Sequence, residues 1–366
     1  MQVRLRFIQA MLLAIPWHGA PAPQADERPP NPGVARATVV VDSSRSEVVF
    51  LAGPFHVPAL PHDDHDEMDL LIPSERAPDA FSPLIPFTWP VDGWYRGFRI
   101  ALVDADGRVL PRALMHLLAG VNYDRRQLLN GQVDRFLAAG SESPDKTLPR
   151  VLGVPMKAGH RLAIYAGWHN DLGRDYDGVY IRVVMNYIAA NTLLKPWSAF
   201  PVYMDVNNVA GENNAFDVPA GHSERQFEFT LPIGGHLIAV GGHLRDYGRD
   251  VRLEDAETGR VLARLDAIRD SCGHTVGMPI QKFLPFGLAL RGGRRYRVVG
   301  EYDSPQTAAR PRGGIAMMVG LFIPSDASKW PALDRTDPEM IADLESLPGG
   351  PRATGPVFGT MQRVAP

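Results

Sequence analysis

Short apolar runs broken by Gly, Pro, Asp and Asn fill most of the chain: FRIALVD, RLAIYAG, YIRVVMNYI, QFEFTLP, HLIAVGG, YRVVGEY and IAMMVGLFI. Apolar–polar alternation between turn residues is the signature of half-buried strands, and many short strands at even spacing predict β-sandwiches. Two stretches predict helices. Residues 123–140 (YDRRQLLNGQVDRFLAAG) do so despite the internal Gly131. Residues 337–347 (DPEMIADLESL) do so with Asp337 as N-cap and Pro338 in the first turn.

The pattern also repeats. FTWPVDGWYRGF (87–98) matches FTLPIGGHLIAV (229–240), and LVDADGRVL (102–110) matches LEDAETGRVL (253–262). AGHRLAIYAGWHN (158–170) matches GGRRYRVVGEYDS (292–304), and IRVVMNYI (181–188) matches IAMMVGLF (315–322) at the same offset. The expected fold is therefore all-β. It has two tandem, related, antiparallel, jelly-roll-like β-sandwiches at 38–190 and 215–325, joined by a linker at 191–214. A C-terminal helix and a Gly/Pro-rich tail make up 326–366.

The N-terminal residues change the picture of where the protein works. Arg4 and Arg6 precede an apolar run from Phe7 to Trp17, and small residues follow at Ala20, Ala22 and Ala25. This is the layout of a secretory signal over 1–25, followed by an extended leader over 26–37, and it predicts a periplasmic or secreted protein. No other run has the ~18 apolar residues of a membrane span. Apolar residues at 45%, charged residues at 22% and a net charge of −3 describe a globular chain without the basic surplus of a nucleic-acid binder. Five lysines against 33 arginines reflect a GC-rich bacterial genome. A single cysteine, Cys272, leaves no intramolecular disulfide, so the fold rests on its core.

The candidate chemistry lies in the eleven histidines. His62 and His65 stand among carboxylates in LPHDDHDEMD (60–69), which reads either as a solvated acidic loop or as a cation site. His116 lies in RALMHLLAGVN, and His169 ends a strand in YAGWHND. His236 and His243 lie on one strand, with Met317 and Met318 on a later strand of the same repeat; imidazole with thioether is a ligand set that suits copper. In GGHLRDYG (241–248), His243 and Arg245 occupy the i and i+2 positions, where an H-x-H pair would aim two imidazoles to one face. A guanidinium stays protonated and cannot ligate a metal.

Taken together, RALMHLL, WHN, GGHLRDYG and the Met-containing strand IAMMVGLFI resemble the copper type II, ascorbate-dependent monooxygenases, the family of peptidylglycine α-hydroxylating monooxygenase, over roughly residues 40–325. The resemblance implies an electron-transfer copper in the first sandwich and an oxygen-binding copper in the second. Carried over, the first copper's histidine pair falls on Met115 and His116 and its third ligand on His169. The second copper's H-x-H falls on His243 and Arg245. Its methionine falls on Ile315, with Met318 as the nearest substitute.

The expected metal residues are thus His116, His169, His243 and Met318, with one or two copper ions. Three functions follow. The chain is a non-catalytic relative that acts in binding, or an active copper monooxygenase with altered ligation that draws on Met115 and His236, or a periplasmic metal-capturing protein that uses HDDHDEM. An unrelated sandwich that stacks sugars on Trp89, Trp94, Trp168 or Trp197 is a fourth reading. Arg245 is the candidate for binding a carboxylate of a small-molecule or peptide ligand, against a plain surface ion pair with Asp246 or Asp250.

Overall fold

The computed structural model describes residues 36–60, 81–140, 145–208, 214–271 and 274–348. The expectations for the signal and leader up to residue 35, for the 62–68 cluster, for Cys272 and for the tail beyond 348 lie outside these residues. The described residues belong to one compact unit.

Eleven strands build the first lobe. They are β1 (Arg36–Asp42), β2 (Glu47–Val57), β3 (Ile85–Thr88), β4 (Gly93–Val103), β5 (Met115–Arg126) and β6 (Val133–Gly140), followed by β7 (Lys146–Thr147), β8 (Leu152–Met156), β9 (Arg161–Trp168), β10 (Tyr176–Ala189) and β11 (Trp197–Ser198). One sheet runs β1-β2-β10-β4-β8-β11 with β7 beside β4, and the facing sheet runs β3-β9-β5-β6. Alternation dictates the packing. Along β10, Val179, Ile181, Val183 and Met185 are fully buried, and the residues between them are half-buried. They meet Phe50, Phe87, Leu118 and Ile164 in a single core.

The second lobe begins with β12 (Phe200–Asp205), β13 (Phe216–Val218), β14 (Gly221–Thr230), β15 (Gly235–Leu244), β16 (Gly248–Asp255) and β17 (Val261–Asp266). It continues with β18 (Ile268–Arg269), β19 (Thr275–Gly277), β20 (Gln281–Lys282), β21 (Leu288–Leu290), β22 (Arg295–Ser304), β23 (Arg310–Gly314) and β24 (Ala316–Pro324). Its two main sheets run β12-β24-β15 with β20 and β21 on the far side of β15, and β14-β22-β16-β17. One helix, α1 (Pro338–Ser346), follows. The chain is all-β with a short C-terminal helix, and no helix among the described residues is long and apolar enough to cross a membrane.

The two lobes share one strand order. The order β2-β10-β4-β8 over β3-β9-β5-β6 in the first is β12-β24-β15-β20 over β14-β22-β16-β17 in the second, the arrangement of a jelly roll. Three of the four sequence matches fall on equivalent strands: β3–β4 on β14–β15, β9 on β22 and β10 on β24. The fourth does not. LVDADGRVL closes β4 whereas LEDAETGRVL closes β16, so it is a similar turn at a different corner.

The helix expected over 123–140 is a hairpin of β5 and β6, with Asn130 and Gly131 in its loop. Alternation is lost there because the sheet is buried on both faces. The first core lies on one side, and Met340 and Leu347 pack on the other against Val121, Tyr123 and Val133. Glu339 and Asp343 of α1 accept the backbone N–H of Gly131 (2.6 Å) and Val133 (3.0 Å), and Asp343 also pairs with Arg135. The stretch expected as a linker contributes β11 to the first lobe and β12 to the second.

The hairpin tip ties the lobes together. Leu128 is buried in the second core. Tyr203 on β12 donates to the Arg135 carbonyl at 2.9 Å, and Trp330 stacks on Phe200 while its indole N–H donates to the Arg126 carbonyl. Leu128→Ala is expected to lower stability by about 2–3 kcal/mol in urea denaturation, the low end for a buried leucine because a loop tip can relax into the gap.

Candidate functional site

The structure brings His116 and His169 together. Met115 pairs with Trp168 and Leu117 with Gly167, so His116 is the extra residue of a β-bulge between β5 and β9. A bulge re-aims a side chain out of the strand's alternation. The imidazole of His116 ends 6.3 Å from that of His169, centroid to centroid. His169 follows β9 directly, and its N–H donates to the Leu114 carbonyl at 3.0 Å. Its neighbours fix it on both sides. Trp168 is buried against Phe55, and Asn170, also buried, donates from Nδ2 to the carbonyls of Val57 (3.0 Å) and Arg174 (2.8 Å). A metal-bound imidazole has its centroid about 3.2 Å from the ion, so two imidazoles on one ion have centroids about 5–6.4 Å apart. At 6.3 Å the two rings could share one ion only in a nearly linear arrangement, at the upper end of that range.

Met115 does not join it. The side chain is fully buried in the first core, so the thioether expected beside His116 is a packing residue. Trp89 and Trp168 are core residues too, which removes them as sugar platforms, while Trp197 is exposed.

In the second lobe the expected ligands separate. On β24, Met318 pairs with Gly242 and is fully buried in the second core. His243 is exposed and pairs with Met317, one residue earlier and therefore on the other face. Met318 is thus corrected as a partner of His243, and Met317 takes its place. The row continues to β12, where Asp205 pairs with the other side of Met317. Carboxylate, thioether and imidazole follow one another across three strands. His236 lies seven residues from His243 on the same strand, about 20 Å away, and cannot share an ion with it.

Arg245 donates its backbone N–H to the Ile315 carbonyl at 3.2 Å, and its Nη1 donates to the Arg312 carbonyl at 2.7 Å. Asp246 takes His274 and the Thr275 N–H, and Asp250 takes Arg252 and Arg264, so both carboxylates weighed as partners for Arg245 have other cations or donors. His274, two residues after Cys272 in DSCGH and from sequence a conceivable soft ligand partner of that cysteine, takes a different place. It docks on Asp246, inside the GGHLRDYG stretch, at 2.9 Å. Its only sequence signal is the Cys272–His274 spacing.

Asp205 is an unforeseen group. It is buried, and its carboxylate accepts from the Asn207 N–H (2.8 Å) and Asn214 Nδ2 (3.0 Å). Burial pushes its pKa up to about 7 against the pull of those two hydrogen bonds. Among the described residues no group of three or more His, Cys, Asp or Glu is placed to hold a metal ion.

No family model and no curated protein matches the sequence. Among solved structures, a chain from the atomic structure of Sulfolobus Turreted Icosahedral Virus aligns at 9% identity and a TM-score of 0.18, covering 66% of this chain and 56% of that one. This chain therefore spans little more than half the length of that viral chain. The ANX2 ectodomain from Arabidopsis thaliana aligns at 8% identity and a TM-score of 0.20, covering 76% of this chain and 89% of that one. Likenesses this slight carry nothing over to this chain.

Proposed function

We propose that this chain is an exported copper-binding protein built on the plan of the copper type II, ascorbate-dependent monooxygenases, with one ion held by His116 and His169 and without the family's oxygen chemistry. The observation that carries this reading is the bulge-directed approach of the two imidazoles. A copper ion supplies one-electron redox chemistry and Lewis acidity when bound. The protein's own residues do the rest: the bulge aims His116, and buried Asn170 anchors the turn that presents His169. The second lobe does not fit the family's three-ligand set. His243 has Met317 opposite, Met318 is in the core, and the second arm of H-x-H is an arginine bonded to a backbone carbonyl. A fixed cation near an ion site also weakens cation binding.

Copper content after reloading and dialysis tests this. About one copper per chain is expected, lost in His116→Ala and in His169→Ala and kept in His243→Ala, with affinity falling at least about tenfold in the first two. Retention of copper by His116→Ala overturns the reading. The pairing of His243 with Met317 favours a second reading, an active monooxygenase with altered ligation. That reading expects two coppers per chain and ascorbate-driven oxygen uptake abolished by His243→Ala.

A further inference from the structure

We propose that the turn between the two lobes, LLKPW at 193–197, is a peripheral anchor for an anionic lipid surface. The turn follows β10 and leads into β11. Leu193 is 94% exposed, Leu194 83% and Trp197 66%, and Val151, whose carbonyl accepts from the Trp197 N–H, is 62% exposed. Four large apolar side chains on one projection cost free energy in water, and singly scattered ones do not make such a patch. Pro196 and Ala199 in the same segment are buried, so the backbone is held firmly while the leucines point away.

The surroundings select the partner. Lys195, within the turn, and Arg150, next to Val151, are exposed. The two chain segments that form it, 146–170 and 178–204, contain no Asp or Glu. Arg96, which donates to the Leu148 carbonyl, lies close enough to Arg150 for their charges to repel; its guanidinium pKa is pushed down first by burial and then by that neighbour. Of the acids on adjoining elements, Asp145 is paired with Arg112, and Asp92 accepts from the Ala158 N–H with its carboxylate and from the Ala190 N–H with its carbonyl. An exposed apolar turn with a tryptophan and cations among its residues has the make-up of a membrane-interface anchor, in which the leucines would reach acyl depth, the indole the headgroups, and Lys195 and Arg150 the anionic phosphates. A protein partner would call for a broader apolar face with a mixed-charge rim. The inference is independent of any metal.

Sedimentation of the full chain with vesicles tests it. The chain is expected to bind vesicles of phosphatidylcholine with about 30 mol% phosphatidylglycerol, to bind pure phosphatidylcholine at least about tenfold more weakly, and to be released as salt rises from about 0.05 to about 0.5 M. The Leu193→Asp/Leu194→Asp variant should lose at least about tenfold in binding, and Lys195→Glu/Arg150→Glu should lose the preference for anionic vesicles. Phe286→Asp, at an exposed apolar site in the second lobe, should bind like the parent. Unchanged far-ultraviolet circular dichroism shows that a variant has folded. Binding that survives Leu193→Asp/Leu194→Asp overturns the proposal, as does absence of binding to both vesicles. A dimer in sedimentation velocity that this double variant dissolves also overturns it, since the tip would then serve a second copy.

Discussion

Asp134→Ala is expected to destabilise the protein by about 3–5 kcal/mol, the cost of breaking a buried ion pair from one side. Asp134 on β6 is fully buried and Arg125 on β5 nearly so. The guanidinium donates to Asp134 Oδ2 from Nε (2.9 Å) and Nη2 (2.5 Å), and to the Pro155 carbonyl from Nη1 (3.0 Å). Its face lies 5.3 Å from the ring centroid of Phe200, the first residue of β12. The pair therefore sits where the hairpin of the first lobe meets the first strand of the second. Removing the carboxylate leaves a charge with one carbonyl and one aromatic face in a site that water does not reach. Burial pushes the Asp134 pKa up even with Arg125 in place, which shows how large the desolvation cost is. The double replacement Arg125→Met/Asp134→Leu should recover most of the loss, because neither charge then needs compensation. Urea denaturation of the parent, Asp134→Ala and the double variant measures both the loss and its recovery. A loss under about 1 kcal/mol in Asp134→Ala would mean that the pair is solvated and is not part of the junction.

The fold was legible where one face of a strand met water. β10 and β24 alternate cleanly because each has a core side and an outer side. The hairpin of β5 and β6 was not legible. Phe136 and Leu137 are consecutive and both buried in the first core, because Phe136 is the extra residue of a bulge against β5, where Gly120 pairs with Leu137 and Val121 with Arg135. A run apolar on both sides has no period of two, and at that length it imitates a helix. The candidate site divides in the same way. His116 and His169 were legible as residues, but their approach depends on a bulge, and one extra residue in a ladder leaves no mark in the composition of either strand. Two adjacent methionines, Met317 and Met318, give no sign in the sequence of which faces the core. The register Gly242–Met318 and His243–Met317 decides it. Asp205 was invisible because its chemistry comes from burial alone, at the end of a strand that reads as linker.

Asp205's contribution to stability is expected to fall as pH rises from about 4 to about 7, and Asp205→Asn should remove that part of the pH dependence. The direction follows from proton counts. The folded-state pKa of Asp205 is raised to about 7 from the ordinary 3.8, so between these values the folded protein holds a proton that the unfolded chain has released. Where the folded state binds more protons, raising the pH favours unfolding. The contribution is neutral below the unfolded value, grows as a penalty through the window and levels off above the folded value. A shift of about three units corresponds to about 4 kcal/mol at the upper limit. The asparagine replacement keeps the geometry. Its Oδ1 can accept from the Asn207 N–H as Asp205 Oδ1 does, and the amide of Asn214 can turn to accept from its Nδ2. At pH 8 the variant should therefore be the more stable protein by a few kcal/mol, and at pH 4 the two should be about equal. Urea midpoints across this range measure it, and parallel profiles for the two proteins would show that Asp205 is ionised in the fold. The position of this acid gives the result a meaning beyond stability. It lies beside Met317, which lies beside His243, so its protonation sets whether that row of the second lobe carries a negative charge at neutral pH. A cation bound there would lower the Asp205 pKa and abolish the slope in the parent protein. The same titration repeated with added copper therefore distinguishes an empty second lobe, whose profile does not change, from one that holds an ion.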